Sequence, residues 1–566
     1  MTRLWGRTSR LRGREITPEE IFLDSSNLPG LDEHQLEGRV ERPVSPIALL
    51  MVGVVFAVIM TAFVVQAFNL QVVNGETYAD ISRNNRLERS VIFAPRGIIT
   101  DRNGTEIAWN ELETDPAATS TAPYPLRRYI DAPGFAHVLG FVRYPKADSS
   151  GEWWREEYTG VSGVEDVFNE SLGGTNGSSI SETDARGELV REDIVDPPDA
   201  GAPLKLSIDA DVQTELARRL ESHAQSQGFQ GGAAIIMDVE SGELLALVSF
   251  PEYDNAAFAE GLSSIIDATN ADERKPLLNR AVGGLYAPGS IVKPIFAAAA
   301  LNEHLIDPEK EILSTGSISI PNPYFPDQPS IFKDWRAHGW VDMRRALAVS
   351  SDVYFYVIGG GYASQRGLGI AKIDEYAKKF GFSLPTGIVL GNEPDGTIPT
   401  PEWKREVFDD AWRLGDTYNT AIGQYGFQVT PLQVVRYVSA IANGGNLLTP
   451  QLVAGARPAG KSVGISDSDL QIVREGMRAS VTDGGTAAAL NMGGIDIAGK
   501  TGTAQVGKHN EYMNSWAIGF WPYENPRYAF AVVLEKAPAN TLSGASPAMA
   551  PFFYWLKDTK PEYIGS

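Results

Sequence analysis

Apolar and polar positions change regime sharply along this chain, and the first boundary is the clearest. Residues 1–45 are polar and charged with no sustained apolar period, which predicts a mostly disordered tail. From Ile47 to Val65 the chain then reads IALLMVGVVFAVIMTAFVV, without a charge and with Thr61 as its only polar side chain. At helical rise this run covers roughly 29 Å, close to the hydrocarbon thickness of a bilayer. It carries no amphipathic stripe of the kind that marks a core helix, and both it and the polar segment before it are longer than in a cleaved leader. A transmembrane helix over 46–68 is the expectation.

Phe68 to Arg89 reads as a helix that continues out of the membrane and then gives way to short strands. Asn103-Gly104, after Ala94-Pro95-Arg96-Gly97 and Asp101-Arg102, predicts a tight hairpin. From there to about residue 200 the pattern is mixed and turn-rich, with no catalytic constellation. Near Leu204 the pattern becomes denser. Gly232–Asp238 and Glu243–Val248 read as two apolar strands joined by the turn Glu240-Ser241-Gly242, an antiparallel hairpin. Helical periods follow at Val341–Gly359, Leu432–Asn443 and Ser466–Val481, and strands at Ile495–Ala498, Trp516–Phe520 and Tyr528–Glu535. This order predicts an α+β fold, a mostly antiparallel sheet with helices packed on it. Four segments result: tail 1–45, membrane helix 46–68, a non-catalytic region 69–202 and a larger domain 203–566.

Bulk numbers narrow the class. A chain of 566 residues is too long for one compact core. Its formal net charge of −22 argues against nucleic acid as a partner. The absence of cysteine excludes disulfides, thiolate metal sites and cysteine nucleophiles, and is compatible with export. Arg3, Arg7, Arg10, Arg12, Arg14, Arg39 and Arg42 favour a cytoplasmic tail. Next to the membrane Arg39 and Arg42 are matched by Arg83 and Arg86, but long downstream domains cross largely regardless of charge. The C-terminal part is therefore expected outside the cytoplasmic membrane, on a single span.

Candidate chemistry centres on Tyr286-Ala287-Pro288-Gly289-Ser290-Ile291-Val292-Lys293-Pro294. Pro288 and Gly289 punctuate the chain, and Phe296 to Leu301 is a strong helix former, so Ser290 and Lys293 fall one turn apart at a helix start. Residues at i and i+3 share a face, so Lys293 can reach the Ser290 oxygen. A buried lysine loses its proton more easily and can then act as the base for a serine nucleophile. Alone this spacing is weak. Ser330-Ile331-Phe332-Lys333 repeats it after Pro321, Pro323, Pro326 and Pro329, where nothing starts a helix, and reads as a loop. Two more motifs follow in order: Ser350-Ser351-Asp352 within the helical run 341–359, and Lys500-Thr501-Gly502-Thr503 at the end of a strand. Singly they read as a cap and a surface strand end; a serine-lysine pair followed by both is a catalytic set.

With these residues, the chain resembles the penicillin-binding proteins, specifically the class B D,D-transpeptidases of peptidoglycan synthesis. The likeness also runs through Arg96-Gly97, Gly163-Val164-Glu165, Asn279-Arg280-Ala281, Thr386-Gly387-Ile388, Ile422-Gly423-Gln424, Thr430-Pro431-Leu432-Gln433 and Ala504-Gln505. It implies a penicillin-binding transpeptidase domain on a mixed, elongated pedestal of dimerisation type. Ser290 would attack the bond between two D-alanines of a stem peptide, with Lys293 as base and the backbone N–H groups of Ser290 and Thr503 as oxyanion hole. Ser350 would pass a proton to the departing amine, and Asp352 would hold Lys293 or the substrate amide. Lys500, Thr501 and Thr503 would bind the terminal carboxylate, while Gly502 leaves the strand edge bare for an extended peptide. No cofactor is implied. Expected partners are stem peptides, β-lactams bound covalently at Ser290, the membrane, a membrane-embedded glycosyltransferase of the SEDS type and other cell-wall complex proteins.

Asp352, where many relatives carry Asn, resembles the elongation branch, penicillin-binding protein 2, more than the septal branch. Tyr425-Gly426 follows Gly423-Gln424 where relatives usually have a glycine directly after the glutamine. Asp334 and His338 are four apart, a spacing that suits two metal ligands on one helix face; no partner pair is evident and no metal is expected. The rivals are a septal transpeptidase, a β-lactam-hydrolysing enzyme or carboxypeptidase, and a β-lactam sensor or scaffold.

Overall fold

The computed structural model describes residues 45–84, 87–112, 122–183, 189–322, 324–325, 327–457 and 459–565. The tail over 1–44, Arg86, Pro323 and Pro326 lie outside the described residues. The chain divides into two units, Met1–Leu87 and Glu88–Ser566. In the first, α1 (Pro46–Phe68) is a helix of 23 residues, none of them buried, long and apolar enough to cross a membrane. The helix expected to run on to Arg89 is interrupted. A π-helical turn at Asn69–Val73 and a break at Asn74 precede α2 (Gly75–Asn84), and a strand begins at Leu87. Asn74 and Gly75 are poor helix formers, which places the break there.

In the second unit the expected hairpin forms between Ile99–Thr100 and Glu106–Glu111, with Gly104 at φ +92°. Leu126–Tyr129 and Leu204–Lys205 complete that sheet. Nearby, Glu165 binds the Nε groups of Arg96 (2.5 Å) and Arg127 (2.7 Å), all three side chains fully buried. The short helix Ala136–Leu139 carries His137, 7% exposed, whose Nε2 donates to the Pro276 carbonyl at 2.8 Å.

Burial holds the His137 imidazole down at a pKa of about 4, against an ordinary 6.5. The folded form therefore binds its proton less readily than the unfolded chain. This stabilisation is full above about pH 6.5 and lost as pH falls through about 4, a span of about 3 kcal/mol. Chemical unfolding of the detergent-solubilised chain at pH 4.5 and 6.5 checks it: His137→Gln is expected to flatten that part of the pH dependence.

The C-terminal part of the second unit is built on a five-stranded antiparallel sheet. After α3 (Ala210–Gln227) come β1 (Gly231–Asp238) and β2 (Leu244–Phe250), the predicted hairpin. Then follow α4 (Lys293–Asn302), α5 (Met343–Val349), α6 (Asp352–Gly360), α7 (Pro431–Ala442) and α8 (Asp467–Thr482). The chain returns to the sheet as β3 (Ala498–Val506), β4 (Tyr512–Trp521) and β5 (Tyr528–Pro538), and ends on α9 (Ala545–Thr559). Strand order is β2-β1-β5-β4-β3, which leaves β3 at an edge.

Each face of the sheet has its own core. Val212, Leu216 and Leu220 of α3 and Phe552, Phe553 and Leu556 of α9 cover one face. On the other, α7 packs against β1, β4 and β5, in a core that includes Ile235, Trp516 and Val533. Every residue of α4 from Lys293 to Leu301 is buried, as its apolar sequence requires, so the lysine at its first position is carried inside with it.

Candidate active site

Ser290 sits in a single 3-10 turn, Gly289–Val292, which leads directly into α4. The turn is pressed against β3 backbone to backbone. Gly289 has φ +55°, and a Cβ there would lie 2.7 Å from the Thr503 carbonyl oxygen. Across the contact, a Cβ on Gly502 would meet Ile291 Cγ2 at 2.9 Å and the Pro288 oxygen at 3.0 Å. Gly502 thus makes room for the nucleophile turn, rather than serving only to bare the strand edge. Among the described residues no further strand pairs with the outer edge of β3.

Ser290 is half-buried, whereas Lys293 is completely buried. The Lys293 ammonium donates to the Ser350 carbonyl (2.8 Å), Ser350 Oγ (3.2 Å) and Asp352 Oδ1 (2.6 Å), and lies 5.4 Å from the Phe355 ring centre. These contacts occupy all three of its donors. Among the described residues Ser290 Oγ has no hydrogen bond to Lys293.

Ser350 is not inside a continuous helix. The run expected over 341–359 breaks after Val349, where Ser350 takes the left-handed conformation (φ +57°, ψ +40°), and Ser351 caps α6. The break turns Ser350 Oγ toward both amines, with Lys500 Nζ at 2.8 Å and Lys293 Nζ at 3.2 Å. A hydroxyl has two lone pairs and one proton. With both lone pairs facing lysine donors, its own O–H remains available to donate.

Lys500 lies inside a strand, not at the end of one. The strand expected at 495–498 starts at Ala498 and runs through Val506, with Lys500, Thr501, Gly502 and Thr503 opposite Ile518, Ala517, Trp516 and Ser515. Burial and the neighbouring Lys293 charge push the Lys500 amine well below its ordinary pKa, with Asp352 opposing. Thr501 Oγ1 donates to Thr486 Oγ1 at 2.7 Å, and the Thr486 N–H binds the Ala348 carbonyl. Thr486 lies in an ordinary Gly-Gly-Thr turn, and only the folded contact marks it. Thr503 is exposed beside the nucleophile turn.

Ser330–Lys333 is a strand paired with Ser317–Ile320, not a loop. Residues three apart on a strand point to opposite faces, so it forms no second site. Asp334 and His338 follow it on a loop rather than on a helix; their side chains meet at 3.4 Å, and among the described residues no group of three or more His, Cys, Asp or Glu is disposed to hold a metal. Tyr425 has φ +66°, with its ring packed among Trp403, Phe408 and Trp412.

The penicillin-binding protein transpeptidase domain matches residues 232–554, and the penicillin-binding protein dimerisation domain matches residues 116–206. The chain belongs to the penicillin-binding protein transpeptidases. Among relatives of this penicillin-binding protein, peptidoglycan D,D-transpeptidase MrdA of Acinetobacter baumannii is 33% identical over 77% of this chain and 67% of its own. The protein of the same name from Haemophilus influenzae is 31% identical over 78% of this chain and 71% of its own. Two solved structures cover 84% of this penicillin-binding protein and 99% of their own chains at 28% identity. They are Helicobacter pylori PBP2 in complex with MreC (TM-score 0.69) and Pseudomonas aeruginosa PBP2 in complex with WCK 5153 (TM-score 0.67).

Proposed function

We propose that this penicillin-binding protein is a peptidoglycan D,D-transpeptidase of the elongation type, working through an acyl-enzyme at Ser290. The observation that carries the reading is Ser350 Oγ held between Lys293 and Lys500, beside an accessible Ser290 and an open strand edge. Ser290 Oγ attacks the carbonyl carbon of the D-Ala-D-Ala bond, and Lys293, acting as the neutral amine, takes up its proton and becomes the ammonium. Negative charge on the carbonyl oxygen is met by the N–H groups of Ser290 and Thr503. The C–N bond breaks as Ser350 gives its proton to the leaving D-alanine amine and is resupplied by Lys293, which passes on the proton taken from Ser290. An acceptor amine then attacks the ester, forms the crosslinking amide and returns a proton to Ser290. Lys500, Thr501 and Thr503 hold the terminal carboxylate, Asp352 fixes Lys293, and an extended stem peptide adds to the free edge of β3.

The domain scheme is a tail 1–45, a membrane helix 46–68, a pedestal 69–202 and a transpeptidase domain 203–566. We place the tail in the cytoplasm and the catalytic domain outside, where stem peptides are found. Relatives whose structures were solved with MreC and within a peptidoglycan synthase complex support a pedestal that meets cell-wall partners, including a glycosyltransferase of the SEDS type. A fluorescent penicillin tests the chemistry: an ester on Ser290 lasting many minutes is expected, whereas turnover in seconds marks a hydrolase.

A further inference from the structure

The left-handed turn at Ser350 needs something to hold it, because a serine with a Cβ does not rest there unaided. The group that meets it is Asp334, a residue outside all three catalytic motifs. Its side chain is fully buried. Asp334 Oδ2 accepts from Ser351 Oγ (2.8 Å), from the Val353 N–H (3.0 Å) and from Ser314 Oγ (3.2 Å). Two of these donors lie on the far side of the Ser350 break, at the first turn of α6. The near side is held by the next residue, since Trp335 Nε1 donates to the Val349 carbonyl, the last of α5, at 3.2 Å. Asp334 Oδ1 accepts from the Trp335 N–H at 2.9 Å, which joins the two grips.

The loop itself is fixed. The Asp334 N–H binds the Gly316 carbonyl, the His338 N–H binds the Ser314 carbonyl, and Tyr356 of α6 donates its hydroxyl to the Lys333 carbonyl. From this geometry we infer that Asp334 is a positioning residue, a carboxylate clamp that holds Ser350 and Asp352 in register with Lys293 and Lys500. Charge suits the task. Burial alone would raise its pKa, but the Val353 N–H, the Ser351 hydroxyl and the Lys293 charge outweigh it and keep the carboxyl below the usual range, hence ionised. An ionised acceptor makes the stronger bonds. The inference rests on the reading of Ser350 and Asp352 given under Proposed function.

The test compares acylation of the detergent-solubilised full chain by a fluorescent penicillin, separating the acylation rate from the apparent dissociation constant of the preceding complex. Asp334→Ala is expected to slow acylation at least 50-fold with the dissociation constant changed less than threefold. Asp334→Asn, which keeps an oxygen acceptor, is expected to recover to within tenfold of the parent. Ser351→Ala removes one donor and is expected to cost about fivefold while the thermal midpoint stays unchanged, which covers the case of an unstable alanine at 334. The clamp is overturned if Asp334→Ala and Ser351→Ala both acylate within twofold of the parent, or if rates fall only in step with the unfolded fraction. It is also overturned if dialysis of the parent against a chelator slows acylation and a divalent cation restores it, since a bound metal would then hold the turn. A parent chain that takes no label at all would sink the transpeptidase reading instead, so the two failures are separable.

Discussion

Ser290→Ala is expected to abolish both covalent labelling by fluorescent penicillin and crosslink formation, with the chain still folded and in the membrane. Ser290 Oγ has no hydrogen bond to any described group, so its removal leaves no buried partner unsatisfied. The side chain is half-exposed in a 3-10 turn that alanine adopts freely, which limits the change in stability to about 0.5 kcal/mol. Loss of label therefore reports chemistry rather than unfolding. Label that persisted on the alanine variant, located by mass spectrometry on another residue, would remove Ser290 as the nucleophile.

Lys293→Met is expected to have the next largest effect, about 10²–10⁴-fold on the acylation rate, the usual reach of a positioned base. Methionine keeps most of the buried stem but no donor, so Asp352 loses its partner at 2.6 Å while Ser350 Oγ keeps Lys500 at 2.8 Å. The non-covalent complex should form nearly as before, because the groups assigned to carboxylate binding lie on β3. A time course at several penicillin concentrations separates the two constants. If the rate fell less than tenfold, the base would have to be sought elsewhere.

The two results divide the site along a line the sequence drew only in part. The serine-lysine pair, the Ser350 triplet and the lysine strand were readable as motifs, and the hairpin 231–250 and the helices at 431–442 and 467–482 were readable from period and turn chemistry. The break at Ser350 was not. Val349 and Val353 continue an apolar helical period across it, and the bonds that stop the helix come from Asp334 and Trp335. The extent of β3 was misjudged for a similar reason, the expected strand stopping at 498 where the observed one runs on to Val506. Gly499 and Gly502 look like strand breakers in one dimension, but Gly502 is needed where the nucleophile turn rests on the strand. Lys293 was expected to touch Ser290 because the two share a helical face, but the Ser350 carbonyl and Asp352 claim its donors.

That seat of turn on strand narrows the routes by which antibiotic pressure can reshape the pocket. An added carbon at 289 or 502 would strike the Thr503 or Pro288 carbonyl and shift the attacking oxygen, harming the native substrate along with the drug. Inherited resistance has more room at Gln505, whose side chain stands exposed on the same strand and can change without moving its backbone.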